Sequence, residues 1–153
     1  MTIEFQNEFA TEGGKLHAAV KPVMQQTNML ANAADVCAKA REKGCKIVMT
    51  PIKFNEGMSN RPNKGLGILA GCANDKLFAE GTWNAEFSKS MKPQQGDLVC
   101  VGKRGLDAFP GTNLEGLLVK NGVETVALSG FLTNCTGTNF AFAWRRWQWL
   151  SRR

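Results

Sequence analysis

The sequence contains a single histidine, His17, and no tyrosine among its 153 residues. A metal site built from several histidine ligands is therefore excluded. A Ser-His-Asp triad would depend on His17 alone, and the surrounding GGKLHAA gives no sign of that role, so we predict a surface or loop position for it. Acid-base chemistry is then expected from carboxylates and lysine, and a covalent nucleophile from Ser, Thr or Cys.

The five cysteines include no C-x-x-C pair, which argues against both a disulfide framework and a zinc ribbon. A secretory signal is also missing, because the segment MTIEFQNEFATEGG carries three glutamates where such a signal needs an apolar core. No later stretch approaches about 18 consecutive apolar residues. These absences predict a soluble, cytoplasmic protein.

The net charge of +6 is concentrated at one end of the chain. Four of the charges lie in WRRWQWLSRR, which leaves a net charge of +2 on the rest. A nucleic-acid surface needs a basic stripe spread over a folded face. We therefore predict no nucleic-acid partner.

Helical spacing of apolar residues predicts an amphipathic helix from Gln25 to Gly44, with basic residues just before the closing glycine. Three short apolar runs predict buried strands: CKIVMTPI (45–52), GDLVCVG (96–102) and VETVALSGF (123–131). A first strand at IEF, a short helix over 112–121 and a helix from Thr133 or Asn134 complete the pattern. The apolar face of the long helix is expected to contain Met29, Ala33, Val36, Cys37 and Ala40.

Alternating helices and near-continuous apolar strands predict a Rossmann-like, three-layer α/β/α domain with a mostly parallel sheet. No strand is predicted after the helix near Cys135, so the sheet is expected to lack C-terminal strands. The domain is expected to span 1–143, followed by a Trp/Arg-rich tail over 144–153. The region from Asn55 to Gln95 has weak periodicity and is predicted to be a long loop.

Chemically useful side chains follow the predicted strands at three places. Glu4 and Asn7 follow the first strand, Lys103 follows the second apolar run, and Cys135 with Thr136 follows the third. The carboxyl ends of parallel strands meet at one edge, so these side chains are expected to lie together. A helix N-terminus and a nearby ammonium group both favour the thiolate form of a cysteine.

The segments IEFQNEF, GKRGLDAFPGTNLEGLL and VALSGFLTNC, in that order, resemble the isochorismatase-like superfamily. That superfamily includes nicotinamidases, N-carbamoylsarcosine amidases and isochorismatases. The segment FAEGTWNAEF around Trp83 is similar to a stretch that recurs in it, "GT-x-x-A-E". The resemblance extends from about Ile3 to Cys135.

The resemblance implies a cysteine hydrolase that cleaves a small amide or related C–N bond through a covalent thioester. It assigns Glu4 as the base, Lys103 as the electrostatic partner and Cys135 as the nucleophile. Backbone N–H groups of Thr133 and Thr136 would stabilise the oxyanion. The only partner implied for the site is a small-molecule substrate, with no metal and no organic cofactor.

Two aromatic residues, Phe9 and Trp83, are candidates to line the substrate pocket, and buried aromatic packing is the alternative for both. Self-association is also expected, because members of the superfamily commonly form oligomers and an exposed sheet edge favours association.

The chain departs from the superfamily pattern at two catalytic positions. Glu4 stands where an aspartate is usual, and the extra methylene displaces the carboxylate. Counting G-x-x-T-x-x-C from Gly130 and Thr133 places the cysteine position at Thr136, with Cys135 one residue early. One residue on a helix rotates a side chain by about 100°. Either the turn adjusts and Cys135 attacks, or Thr136 occupies the nucleophile position.

Two other functions remain open at this point. The chain could be a non-catalytic, oligomer-forming or ligand-binding member of the fold that has lost turnover. The Trp/Arg-rich tail over 144–153 is also typical of membrane interfaces, although a solvated helix end is the favoured interpretation of it.

Overall fold

The computed structural model describes residues 1–55 and 67–132. Four strands and five helices form its regular structure, with short 3-10 helices at Trp83–Ala85 and Lys89–Met91. The strands are β1 (Thr2–Ile3), β2 (Val48–Thr50), β3 (Leu98–Val99) and β4 (Ser129–Gly130). The helices are α1 (Asn7–Ala10), α2 (His17–Gln26), α3 (Met29–Glu42), α4 (Gly67–Asn74) and α5 (Leu114–Lys120).

The four strands form one sheet in the order β3-β2-β1-β4, and every pairing is parallel. The chain moves outward from β1 through β2 to β3, and then crosses back to add β4 on the other side of β1. This reversal makes the boundary between β1 and β4 a topological switch point, where open parallel sheets bind ligands beyond the carboxyl ends of their strands. The predicted parallel α/β fold is confirmed.

Successive residues of β2 point to opposite faces of the sheet, as the strand period requires. Met49 packs in a core with Cys37 of α3, whereas Val48 packs in a second core with Leu114 and Leu118 of α5. Helices α3 and α5 therefore cover opposite faces, which is the expected three-layer arrangement.

The helix predicted from Gln25 to Gly44 is present as α3, but it begins later than expected. Asn28 has a φ of 50°, a left-handed conformation that separates α3 from α2. The prediction for Val36 was wrong: its side chain is 64% exposed and does not belong to the buried face.

Helix α2 was not predicted, and His17 is its first residue instead of a loop residue. The His17 side chain is half-buried, with Nδ1 2.8 Å from the carbonyl oxygen of Phe9. The pattern was missed because Pro22 lies inside the helix, where proline normally signals a break.

The long loop predicted from Asn55 to Gln95 contains regular structure in its described part. Helix α4 lies within it, and Leu77 and Phe78 pack in the core that also contains Met49. An isolated bridge between Phe54 and Ala79 attaches this segment beside the end of β2. Residues 56–66 lie outside the described part of the chain.

A two-pronged ion pair ties the end of α3 to the turn before β3. Nε and one terminal nitrogen of Arg41 donate to the two carboxylate oxygens of Asp97, at 3.0 and 2.8 Å. The backbone N–H of Gln94 donates to the same carboxylate at 2.8 Å. Burial alone would raise the pKa of Asp97, but the hydrogen bonds from Arg41 and Gln94 hold that pKa below its ordinary value.

Replacing Arg41 by methionine is expected to lower the free energy of unfolding by about 2 kcal/mol near neutral pH, because it removes two charge-assisted hydrogen bonds. The ordinary pKa of this carboxyl is 3.8, and its pKa in the folded state is lower. Such a carboxyl stabilises the fold fully at pH values above its ordinary pKa, and the contribution is lost as the pH falls through the folded-state pKa. Urea unfolding between pH 7 and pH 3 should therefore show the difference from wild type shrinking below pH 3.8.

The matched control is Lys39→Met, which removes the exposed Lys39–Asp35 pair on the same helix. Exposed pairs of this kind contribute about 0.5 kcal/mol or less. Equal losses in Arg41→Met and Lys39→Met would contradict the assignment of Arg41–Asp97 as a stabilising pair.

Candidate active site

Glu4 and Lys103 form a buried ion pair at the carboxyl edge of the sheet. Lys103 is 2% exposed and Glu4 is 8% exposed. Glu4 is the first residue after β1, and Lys103 follows β3 and bridges to Ile52 beyond the end of β2. The structure thus brings together two of the three residues assigned to catalysis, although their strands are separated by β2.

The Lys103 segment is held by backbone and side-chain hydrogen bonds. Its N–H donates to the Pro51 carbonyl at 2.9 Å, and its own carbonyl accepts from Lys53 N–H at 3.0 Å. The ammonium also donates to the Gly105 carbonyl at 2.9 Å. A buried ammonium needs such partners, so the charge is fixed in place as well as paired.

Glu4 has a backbone φ of 59°, in the left-handed region that favours glycine. Its N–H donates to the Thr50 carbonyl at 3.1 Å, and its carbonyl accepts from Gln6 N–H at 2.7 Å. A non-glycine residue in this conformation costs about 1–2 kcal/mol, and such strain persists where the surrounding structure imposes it. The left-handed residue lets the chain turn at the end of β1 while the carboxylate meets Lys103.

Burial raises the pKa of the Glu4 carboxyl above its ordinary value, and the positive charge and hydrogen bond of Lys103 limit the rise. A carboxylate with a raised pKa is a better proton acceptor near neutral pH than an exposed one.

Gln6 is fully buried and was missed as a site residue. Its Nε2 donates to the carbonyls of Ile52 at 2.8 Å and Ala85 at 2.7 Å, and its Oε1 accepts from Ile52 N–H at 2.8 Å. Because Ile52 bridges to Lys103, this amide connects the segment that carries Glu4 to the segment that carries Lys103. One glutamine therefore helps to set their separation.

Glu8 is a second buried polar side chain on the same segment. Its carboxylate accepts from Lys15 N–H at 2.7 Å, from the side-chain amide of Asn84 at 2.9 Å and from Phe78 N–H at 3.1 Å. These neutral donors lie on three separate segments. Glu8 therefore links the segment that carries Glu4 to the parts of the chain around Lys15, Phe78 and Asn84.

Phe9, a predicted pocket residue, is 5% exposed and stacks on Phe131, with ring centroids 4.9 Å apart. Trp83, the other one, is 45% exposed, and its carbonyl accepts from the Asn7 side chain at 2.9 Å. Phe9 therefore packs in the core and Trp83 lies at the surface. A contact with substrate stays a prediction for both.

Cys135, Thr136 and Thr133 lie outside the described residues, as does the tail over 144–153. The strand that leads to them is described: Gly130 of β4 pairs with Ile3, directly before Glu4. A side chain at Gly130 would collide with the Ile3 carbonyl oxygen, so glycine permits this close approach. The chain therefore leaves β4 beside Glu4, at the switch point of the sheet.

Within residues 1–55 and 67–132, no group of three or more His, Cys, Asp or Glu side chains is arranged to hold a metal ion. In the same part of the chain, no helix has the length and apolar character needed to cross a membrane.

Comparison with solved structures supports the fold. An N-carbamoylsarcosine amidase from Thermoplasma acidophilum superposes with a TM-score of 0.72 and 24% identity, over 95% of this chain and 74% of that one. A pyrazinamidase of Pyrococcus horikoshii superposes with a TM-score of 0.65 and 22% identity, over 94% of this chain and 76% of that one.

Comparison with curated sequences finds relatives that are named as amidohydrolases. The ureidoacrylate amidohydrolase RutB of Methylorubrum extorquens is 28% identical over 145 residues, and RutB of Pantoea ananatis is 26% identical over 149 residues. Each alignment covers 88% of this chain and 58% of the relative, so the chain spans little more than half of their length. Residues 1–144 match the isochorismatase domain, and the chain therefore belongs to the isochorismatase family.

Proposed function

We propose that this chain is a cysteine hydrolase that cleaves the C–N bond of a small amide. The observation that carries the proposal is the buried Glu4–Lys103 pair beside the switch point of the sheet, where β4 leads toward Cys135. Relatives named as amidohydrolases and a structural neighbour named as an amidase support the choice of an amide substrate.

In this mechanism the Glu4 carboxylate takes the proton of the Cys135 thiol, and the thiolate attacks the amide carbonyl carbon. The S–C bond forms while the carbonyl electron pair moves to oxygen. When the C–N bond breaks, the amine leaves with the proton that Glu4 had taken. Water then attacks the thioester, with Glu4 accepting its proton and returning it to the departing sulfur.

Lys103 has two tasks in the proposal. Its positive charge and hydrogen bond limit the rise that burial causes in the pKa of the Glu4 carboxyl, and its ammonium stabilises the negative charge of the thiolate. Backbone N–H groups of Thr133 and Thr136 would hold the oxyanion, a contribution of about 3 kcal/mol per donor.

Selective alkylation tests the nucleophile. With sub-stoichiometric iodoacetamide at about pH 6, Cys135 is expected to react first, because only a thiolate with a depressed pKa reacts quickly there. Burial raises the pKa of Cys100 to about 11 and also raises the pKa of Cys37, so both should stay unmodified. Peptide mapping of all five cysteines measures the order of reaction.

Cys45 is the control for accessibility, since its thiol is free and exposed. A Cys135 that reacts no faster than Cys45 would contradict the activated nucleophile and favour the non-catalytic alternative. If amide hydrolysis survives in Cys135→Ser and is lost in Thr136→Ala, Thr136 is the nucleophile instead.

We also propose that copies of this chain associate with one another. Strand β3 lies at one edge of the described sheet, and Val99 and Val101 beside it are 40% and 54% exposed. Unpaired strand edges with apolar side chains favour association between chains. Light scattering after size-exclusion chromatography would measure the oligomeric state. A monomer in that measurement would exclude self-association.

A further inference from the structure

Phe131 joins the end of β4 to both sequence neighbours of Glu4. It follows β4 directly and is 4% exposed. Its backbone N–H donates to the Ile3 carbonyl at 3.2 Å. Its ring lies edge-on to the ring of Phe5, with centroids 5.4 Å apart and an angle of 69° between the planes. Ile3 and Phe5 stand immediately before and after Glu4, so Phe131 holds the end of β4 against the stretch of chain that carries this carboxylate.

A second ring, that of Phe9 in α1, contacts Phe131 from another direction. The two rings are stacked, with centroids 4.9 Å apart and an angle of 5° between the planes. Stacked and edge-on pairs are the arrangements that aromatic rings prefer. Phe5 and Phe9 are both buried, and a close-packed interior leaves little room for a ring to shift. The Phe131 side chain therefore has one defined place.

The place of Phe131 matters because the chain leads from it to Cys135, four residues further on. Strand β4 contributes only two residues to the sheet, fewer than most strands, so its backbone hydrogen bonds alone hold this end of the chain weakly. A displacement of about 1 Å at a reacting group costs on the order of 100-fold in rate. A nucleophile after such a short strand needs an additional anchor.

We infer that Phe131 is a positioning residue, whose contacts with Phe9 and Phe5 hold the chain that leads to Cys135 at a fixed place beside Glu4. The inference rests on the proposed cysteine hydrolase and adds to it a residue that acts through Cys135 and not on the substrate.

The test is the pH dependence of Cys135 alkylation by iodoacetamide in Phe131→Leu, which keeps an apolar side chain but removes the ring. Looser placement takes the thiolate away from Lys103, so the midpoint of the pH profile should rise toward about 8.5, the value of an ordinary cysteine. A rise of about one unit slows the reaction at pH 6 by up to about tenfold.

Phe78→Leu is the matched control. The Phe78 ring is 2% exposed and lies 5.4 Å from the Phe9 ring in the same core, but its segment follows α4 and does not lead to Cys135. This variant should keep the wild-type midpoint. An unchanged midpoint in Phe131→Leu, or an equal shift in the two variants, would overturn the inference. An activated Cys135 in the wild-type chain would still leave the hydrolase proposal in place.

Phe9→Leu removes the same stacked pair from the other side, and it decides the question if Phe131→Leu does not fold. It should raise the midpoint as Phe131→Leu does. The double variant Phe9→Leu/Phe131→Leu should shift the midpoint no further than the larger single change, because both substitutions break one contact. Additive shifts would mean that the two rings act separately, which contradicts the stacked pair as the anchor.

Failure of the proposed hydrolase is measured separately. If Cys135 of the wild-type chain reacts no faster than Cys45, hydrogen exchange of the Phe131 N–H replaces alkylation, since that N–H is bonded to Ile3 and reports whether the end of β4 stays docked. Faster exchange in Phe9→Leu than in Phe78→Leu, after correction for global stability, supports the anchor even though the hydrolase has failed. Equal exchange in the two variants overturns it.

Discussion

Replacing Lys103 by methionine is expected to destabilise the fold by about 3–5 kcal/mol, because the Glu4 carboxylate stays buried without its cation. Both partners are nearly inaccessible to solvent, so water cannot take the place of the lost ammonium. The variant should also slow the alkylation of Cys135, since the thiolate loses a nearby positive charge.

The loss in Lys103→Met should depend on pH in a definite direction. Burial already raises the pKa of Glu4, and removal of Lys103 takes away the charge and the hydrogen bond that limit the rise. The ordinary pKa of this carboxyl is 4.5. When its pKa in the folded state lies above that value, the free energy of unfolding decreases as the pH increases through the folded-state pKa. Urea unfolding should therefore give a larger deficit at pH 8 than at pH 5.

The double variant Glu4→Gln/Lys103→Met separates the ion pair from other effects of the substitution. It removes both charges, so it should recover part of the stability that Lys103→Met loses. A Lys103→Met deficit below about 1 kcal/mol, or one that is the same at pH 5 and pH 8, would mean that Glu4 is solvated and not paired as the structure has it.

The main elements of the fold could be predicted because their signals are local. The apolar run around Val48 predicts a strand, and the spacing of Cys37 with Ala40 predicts the buried face of α3. Parallel pairing then brings Glu4 and Lys103 to one edge, although they are 99 residues apart in the sequence. The position of these two residues follows from topology, which a sequence pattern can indicate.

The polar interior around the site could not be predicted in the same way. Gln6 bonds to Ile52 and Ala85, and Glu8 bonds to Phe78, so the partners lie 46 to 79 residues away and are mostly backbone groups. Backbone groups have no residue-specific signal in the sequence. A glutamine or glutamate that binds them looks like an ordinary surface residue until the chain is folded.

Gln6→Leu is expected to lower the free energy of unfolding by at least about 3 kcal/mol. The substitution removes three hydrogen bonds and leaves three buried backbone groups of Ile52 and Ala85 unsatisfied, each at a cost of about 1–3 kcal/mol. Chemical denaturation at neutral pH measures this loss. Gln6→Glu should also destabilise, because it keeps the acceptor for Ile52 N–H but loses the two donors.

If Gln6 positions the site, its loss should also change the chemistry of the molecules that remain folded. Asn7→Ala is the matched control: Asn7 is also buried and its amide also donates to a carbonyl, that of Trp83, but it makes no bond to the Ile52 segment. Under conditions where both variants are folded, Gln6→Leu should shift the pH dependence of Cys135 alkylation and Asn7→Ala should not. If the pH dependence of Cys135 alkylation is the same in the two variants, Gln6 stabilises the fold and does not position the site. A shift confined to Gln6→Leu would show that a buried amide between two strand ends controls the separation of Glu4 and Lys103.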